Sequence, residues 1–432
     1  MRRSSFLLML FILYYSVILA QNSLTLKECY DRAYANAPIS SEKEIYSNIW
    51  QLKDNNLSKG WLPTVDMNGN FVYNSSVVDM TEVLGSLPFP GISDLISPLP
   101  HEQYKITLDV NQMIYDGGAV KSARNLEKVE GKINEMQTEI DLYKLRSQIN
   151  GYYFNLLLID RQKELLQNYL ELLNKRIASM GSAFESGVIL KSDTDVLVAE
   201  RIKLEQQLTE NAIRKASLLK ILSGLIGVDL DTSTQFVIPA IDEEFNDELF
   251  RPELQLFDLR KEQLDASKQL IQSKRMPKAF GFATFGYGNP PGSNFFKDEF
   301  APFFIVGAGV KWNIFDWNRA RNERQIVSLQ QNLIDIRKSD LTDNLKRLLD
   351  AKSAEISSLK SLVDTDIELI GIRKRIIEAA ESQYRNGAIT ATEYLNELNA
   401  ERQTMINHEI HVINLALARV EYLNIWGKEI SE

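Results

Sequence analysis

The chain has 432 residues, of which 44% are hydrophobic and 25% are charged, and this composition is typical of a folded protein. Its formal net charge of −9 disfavours nucleic acid as a partner. Its single cysteine, Cys29, excludes an internal disulfide framework and a multi-cysteine metal site. The sequence contains no nucleotide-binding glycine motif after a strand and no catalytic constellation, so we expect neither an enzyme nor a cofactor.

The N-terminus predicts a secretory signal. Arg2 and Arg3 precede an uncharged apolar run at residues 6–19, and Ala20 is a plausible cleavage residue. A membrane-spanning anchor needs about 20 apolar residues, which this run does not reach. We therefore interpret residues 1–20 as a cleaved signal peptide, which implies that the mature protein leaves the cytoplasm.

Two segments alternate apolar and polar residues with a period of two, and each contains two such stretches. The pattern predicts β-hairpins at residues 64–115 and 279–315. This alternation fits a soluble antiparallel sheet with one solvent-exposed face, and it also fits the strands of a membrane β-barrel. The signal peptide and the long helices next to both hairpins favour the barrel.

Two stretches without proline, between Pro100 and Pro239 and after Pro302, are where long helices can form, because proline breaks helices. In the first stretch apolar residues recur in steps of three and four from Leu126 to Met180, with one phase slip. This pattern is a heptad seam, and it predicts that the helix packs against another helix.

Each proline-free stretch is interrupted at a matching glycine, Gly187 or Gly387, which is followed by polar residues typical of a new helix N-terminus. We therefore expect helical hairpins at residues 117–226 and 317–427, with tips near these two glycines. Both hairpins are antiparallel pairs of helices.

The whole arrangement occurs twice. The junction "IYDGG" at Ile114 recurs as "IFDWN" at Ile314, 200 positions later. We divide the mature chain into a first repeat at 21–230 and a second at 231–432, each with a helix, a β-hairpin and a helical hairpin. The predicted fold class is mixed α and β: long antiparallel coiled-coil helices that form an α-barrel continuous with a transmembrane β-barrel of four strands per chain.

Four strands are too few to close a barrel, and lipid does not tolerate open strand edges. Several copies must therefore share one barrel. Two copies would give eight strands, whose interior is filled by side chains, whereas three copies would give twelve and leave a lumen. This reasoning predicts a homotrimer.

Several motifs resemble those of the TolC family of outer-membrane efflux and secretion channels. They are "LTLKECYDRAYANAPIS" from Leu24, the two junctions, and the tip segments "SGVILKSDTDVLVAE" and "NGAITATEYLNELNAE". The resemblance covers nearly the whole mature chain. It implies a homotrimer in outer-membrane lipid, with a twelve-stranded β-barrel and helices that extend into the periplasm. It also implies passive export of cargo delivered by an inner-membrane transporter and a periplasmic adaptor.

In the family, the helical tips form the adaptor contact and the closed aperture. The matching positions in this chain are Gly187, Val188, Ser192, Asp193, Gly387, Ala388, Thr392 and Glu393. The resemblance assigns a pore constriction to Asp193, Tyr384 and Glu393. The residues themselves leave a second role open, because acidic groups near helix N-termini are favoured as caps. Ile389 and Asn396 depart from the family pattern, so the contact that closes this tip is left open.

Two further interpretations remain. The chain could be a periplasmic coiled-coil scaffold whose strands form a soluble cap, without channel activity. His408 and His411 lie three positions apart on a helix and could mark a metal-export specialisation. The sequence suggests no third ligand, and a solvated helix face explains the pair more simply, so we predict no metal site.

Overall fold

The computed structural model describes residues 23–77, 99–185, 191–241, 248–294 and 298–430, without the side chains of residues 181–185. The expected signal peptide lies outside the described residues, as does most of the loop of the first β-hairpin. In chain order the elements are β1 (Ser23–Leu24), α1 (Leu26–Asn36), α2 (Glu42–Ser58), β2 (Thr64–Tyr73), β3 (Glu102–Tyr115), α3 (Ala119–Glu185), α4 (Lys191–Ile226), β4 (Gln235–Phe236), α5 (Pro252–Ser273), β5 (Lys278–Asn289), β6 (Ala301–Lys311), α6 (Arg319–Arg385) and α7 (Ala391–Trp426).

The long helices repeat with the spacing of the sequence motifs. Helices α3 and α6 have 67 residues each, and α4 and α7 have 36 each, with every boundary displaced by 200 positions. At 1.5 Å per residue, a helix of 67 residues is about 100 Å long. The expected long helices of the two proline-free stretches are therefore confirmed.

None of the helices in the described part of the chain is both long enough and apolar enough to cross a bilayer.

The four longer strands form one antiparallel sheet in the order β2, β3, β5, β6. The outer edges of β2 and β6 have no partner strand among the described residues. The second hairpin ends at Lys311, not at residue 315 as the alternation predicts. Strand β5 begins at Lys278, which is paired with Lys311, so residues 312–315 have no strand opposite them among the described residues.

One face of this sheet is apolar and exposed. The exposed fractions are 75% for Met67, 73% for Phe304 and 74% for Val310. Soluble proteins rarely expose a contiguous apolar patch of this kind, whereas the outer face of a membrane barrel requires one. The exposed apolar face argues against the interpretation of the sheet as a soluble cap.

The opposite face carries a polar cluster centred on Asp109. Its carboxylate accepts hydrogen bonds from Asn68 on β2 (2.8 Å), Thr107 on β3 (2.8 Å) and Thr284 on β5 (2.5 Å). These bonds join three neighbouring strands through side chains as well as through the backbone. The sheet therefore has the two-faced character that its alternation predicts.

The repeated junction is an N-terminal cap for each of the longest helices. Two successive left-handed residues precede the helix, with φ of 71° and 86° at Gly117 and Gly118, and 53° and 62° at Trp317 and Asn318. The first copy uses glycine, which adopts this conformation without steric cost. A Cβ at Gly117 would also overlap the side chain of Met276, so position 117 has no space for a side chain.

The chain divides into two compact units, and each draws residues from both sequence repeats. The first unit comprises 1–43, 136–255 and 338–432, and the second comprises 44–135 and 256–337. The core of the first unit joins α1 to the long helices. Its members include Leu26, Cys29, Ile149, Tyr153, Leu156, Leu222 and Val420.

In the second unit the two copies of the heptad seam differ in burial. Val129 on α3 is fully buried, whereas Leu329, the matching residue of α6, is 56% exposed. The neighbouring seam residues of α6, Ile326, Leu333 and Ile336, are also more than half exposed. This part of the seam of α6 is thus an apolar helix face that the described residues leave largely uncovered.

Candidate functional site at the tips of the helical hairpins

The second tip is a short turn with defined hydrogen bonds. The N–H of Gly387 donates to the carbonyl of Tyr384 (3.0 Å), and that of Ala388 donates to the carbonyl of Gln383 (2.8 Å). This is the Schellman pattern, in which the residue after the helix is left-handed. Gly387 has φ 70°, as the pattern requires. Gly187 and Val188 of the first tip lie outside the described residues.

Helix α7 then begins with a capping box. Glu393 donates its N–H to the hydroxyl of Thr390 (3.3 Å), and its carboxylate accepts from the N–H (2.8 Å) and the hydroxyl (3.0 Å) of Thr390. These bonds, chiefly that from the N–H, hold the pKa of the Glu393 carboxyl below its usual range. The carboxylate therefore has a structural role in this chain.

The other expected tip residues are arranged around Tyr384. Its ring stacks on Tyr394, with centroids 5.3 Å apart, and its hydroxyl lies 3.1 Å from the sulfur of Met180. Burial raises the pKa of Tyr384, and the nearby Asp193 carboxylate raises it further. The structure thus brings Asp193 and Tyr384 together, although they come from different repeats.

The remaining expected positions lie at the surface of the first unit. Ser192, Thr392 and Ala388 are exposed. Ile389, which departs from the family pattern, packs partly buried against the apolar cluster of the tip region. Its side chain is part of the helical packing and adds no charged contact at this position.

Sequence reasoning missed the charged residues that join the helices behind the tip. Arg176 on α3 forms an ion pair with Glu381 on α6, and its guanidinium lies 5.4 Å from the ring centroid of Tyr394. Arg176 holds the pKa of Glu381 below its usual range. The sequence shows only that Arg176 neighbours the seam residue Ile177, which does not identify its partner.

A second set of polar contacts lies further from the tip. Arg402 and Glu200 form an ion pair at 3.2 Å, with side chains only 11% and 12% exposed. Tyr169 donates to Glu401 at 3.1 Å. Both contacts join helices of different repeats, so they connect the two helical hairpins of one chain.

The two histidines share one carboxylate that the sequence did not identify. Nδ1 of His411 lies 2.6 Å from Oδ2 of Asp366 on α6, and Nδ1 of His408 lies 4.0 Å from the same oxygen. Within the described ranges, no group of three or more potential ligands has the arrangement needed to hold a metal ion.

Comparison with known proteins agrees with this architecture. Residues 56–221 match the family described as "Outer membrane efflux protein". No curated protein sequence matches the chain significantly.

Solved structures match over nearly the whole length. CusC is 13% identical, with a TM-score of 0.67 over 94% of this chain and 92% of CusC. The CmeC outer membrane channel of Campylobacter jejuni is 15% identical, with a TM-score of 0.63 over 94% and 87%. VceC of Vibrio cholerae is 14% identical, with a TM-score of 0.64 over 94% and 97%. At these identities the matches establish the fold.

The chain therefore has the fold of the TolC-like outer-membrane channels, and it carries the sequence pattern of an outer membrane efflux protein across residues 56–221. The resemblance to the TolC family, stated above from motifs alone, is confirmed. The description of the matching family supports the expected location in the bacterial outer membrane.

Proposed function

We propose that this protein is the outer-membrane channel of a tripartite efflux or type I secretion system. It passively exports substrates that an inner-membrane transporter and a periplasmic adaptor deliver to it. The description of CmeC as an outer membrane channel, and that of CusC as forming a transmembrane channel, support this proposal.

One observation carries the proposal: the sheet has an exposed apolar face and two outer edges that have no partner strand in the described structure. In lipid every backbone N–H and carbonyl must be paired, so an open four-stranded sheet cannot lie in a bilayer alone. Joining β6 of one copy to β2 of the next satisfies both edges. Three copies close the sheet and leave a lumen for cargo.

The uncovered seam of α6 supports the same assembly. Leu329 and its seam neighbours are more than half exposed in the described part of the chain, although they keep the heptad spacing that packs helices together. We propose that a helix of the adjacent copy covers this face. The helices then surround a passage that continues the lumen of the barrel.

The tip residues retain the roles that the resemblance implies, as part of this proposal. The exposed Ser192, Ala388 and Thr392 contact the adaptor, together with Gly187, Val188, Asp193, Gly387 and Glu393. Asp193 and Tyr384 narrow the pore with Glu393. The participation of Glu393 in a capping box is compatible with this role, because a capping carboxylate remains at the protein surface.

The two faces of β6 provide a direct test. Val306 is 69% exposed on the apolar face, whereas its neighbour Ile305 points to the opposite face. A charge that faces lipid near the midplane costs about 2–4 kcal/mol, whereas a charge in the lumen is tolerated. Val306→Arg should therefore reduce the yield of trimers in outer-membrane fractions, and Ile305→Arg should not.

Planar bilayers complete the test. Purified trimers should conduct ions, and the Ile305→Arg trimer should conduct with altered ion selectivity. Equal trimer yields for the two variants, or release of the wild-type protein from cells without detergent, would contradict the proposal.

A further inference from the structure

A cavity of about 360 Å³ in the first unit is lined by an unusual number of cationic side chains. Its wall includes Arg146, Asn150, Arg251, Lys352 and Asn424. The volume lies within the range of small-molecule sites. None of the residues proposed for adaptor contact or pore constriction lines this cavity.

Most of these cations already have carboxylate partners. Arg251 donates to Glu253, and Lys352 donates to Glu355 (2.6 Å) and Glu421 (2.8 Å). Their charges are therefore balanced within the chain, and they position the wall of the cavity.

Arg146 differs from these cations, because it is buried with little compensation. Arg146 is only 8% exposed, and its Nη1 atom has no hydrogen-bond partner among the described residues. Its Nη2 lies 3.7 Å from Glu429, whose side chain is 82% exposed to solvent. This ion pair with a solvent-exposed carboxylate leaves Nη1 without an acceptor, and a largely buried charge that is compensated so weakly is costly, so this position favours an anion.

Aromatic rings hold the guanidinium of Arg146 in place. The Nε atom of Arg146 donates a hydrogen bond to the hydroxyl of Tyr34 (2.7 Å). The central guanidinium carbon, Cζ, lies 5.2 Å from the ring centroid of Tyr30 and 4.6 Å from that of Tyr143. The ring of Tyr143 also lies 4.6 Å from Arg251. Two guanidinium groups therefore contact the same ring, and this contact fixes their positions.

A second unsatisfied donor lies one helical turn from Arg146. Asn150 is 1% exposed, its Oδ1 accepts from Tyr30, and its Nδ2 has no partner among the described residues. Residues four apart on a helix lie on the same face. Across the cavity, Oδ1 of Asn424 is an acceptor without a donor in the described chain.

We propose that this cavity binds a small oxyanion, namely a phosphate group. Nη1 of Arg146 and Nδ2 of Asn150 donate to its oxygens, and Oδ1 of Asn424 accepts from a protonated oxygen. The site joins α1, α3, α6 and α7 around one ligand, so occupancy stabilises the first unit. This inference does not depend on channel activity.

Thermal unfolding of the detergent-purified protein tests the site, with sodium phosphate and glycerol 3-phosphate compared with sodium chloride at equal ionic strength. A ligand that binds only the folded state raises Tm with its concentration. We expect a rise of about 2 °C or more in the wild-type protein. A response to the ester alone would identify esterified phosphate as the ligand.

Three variants make the result specific. Arg146→Met should lose the response, and Lys175→Met should keep it, because Lys175 does not line the cavity, is 73% exposed and is already paired with Glu171. Asn150→Asp places a carboxylate beside Arg146, so Tm should rise without a probe and the response should disappear. This variant remains informative even if Arg146→Met fails to assemble.

The proposal is overturned if neither probe raises the Tm of the wild-type protein, or if Asn150→Asp responds as the wild type does. Because the readout is unfolding, either result leaves the test of the channel function unaffected.

Discussion

Asp116 and Asp316 occupy equivalent positions 200 residues apart, and each caps the helix that follows it. Oδ2 of Asp116 accepts a hydrogen bond from the N–H of Val120 at 2.6 Å, and Oδ2 of Asp316 accepts one from the N–H of Ala320 at 3.1 Å. The cap, together with the two left-handed residues after it, redirects the chain from strand to helix in both repeats.

Removing either cap should destabilise the protein. Asp116→Ala leaves the N–H groups of Gly118 and Val120 without their acceptor, and the loss of such a cap costs about 1 kcal/mol. Thermal unfolding followed by circular dichroism measures the effect. Asp116→Asn keeps an acceptor oxygen and serves as the control, and equal losses in both variants would contradict the capping role.

Two glycines of the long hairpin should respond in opposite directions to alanine. Gly387 has φ 70°, so Gly387→Ala should cost about 1 kcal/mol. Gly371 lies inside α6, so Gly371→Ala should stabilise by roughly 0.5–1 kcal/mol. A Cβ at either position meets no atom within 4 Å, so sterics do not confuse the comparison. Changes of the same sign would refute the assigned turn.

Two neighbouring cations on α3 should contribute unequally. Arg176 is 10% exposed and paired with Glu381, so Arg176→Met should cost about 2 kcal/mol by breaking a largely buried pair. Lys175 is 73% exposed and paired with Glu171, so Lys175→Met should change stability by at most about 0.5 kcal/mol. Denaturant unfolding of the two variants measures the difference, and similar costs would show that Arg176 does not join the helices.

The capping box of α7 should make stability depend on pH. The folded-state pKa of Glu393 is lowered, so its contribution is present above the ordinary pKa of 4.5 and is lost as pH falls through the folded value. The Tm difference between the wild type and Glu393→Ala should therefore be constant near neutral pH and shrink in acid. A difference that grew on acidification would have the wrong sign.

Cys29 should be unreactive while the first unit is folded. It is fully buried, and burial raises the pKa of its thiol to about 12, so almost no thiolate exists near neutral pH. A thiol-specific reagent should label it only after denaturation. Rapid labelling of the native protein at pH 8 would show that the core formed by α1 and the long helices opens readily.

The sequence alone determined the repeats, the long helices and the two-faced strands, because these depend on local properties. Proline positions limit where helices form, glycines mark the tips, and the period of apolar residues separates strand from helix. The boundaries of α3 and α6 differ by 200 positions, as the junction motifs do. The roles of Asp193, Glu393 and the other tip residues in adaptor contact and pore closure remain predictions.

Only the tertiary structure decided which side chains meet. Glu381 pairs with Arg176, and Asp366 pairs with His411, across separations that no local pattern encodes. Periodicity also gave the same seam to α3 and α6, yet Val129 is buried and Leu329 is exposed. Burial depends on which helices the fold brings alongside, and that arrangement is a property of the folded chain and not of the seam sequence.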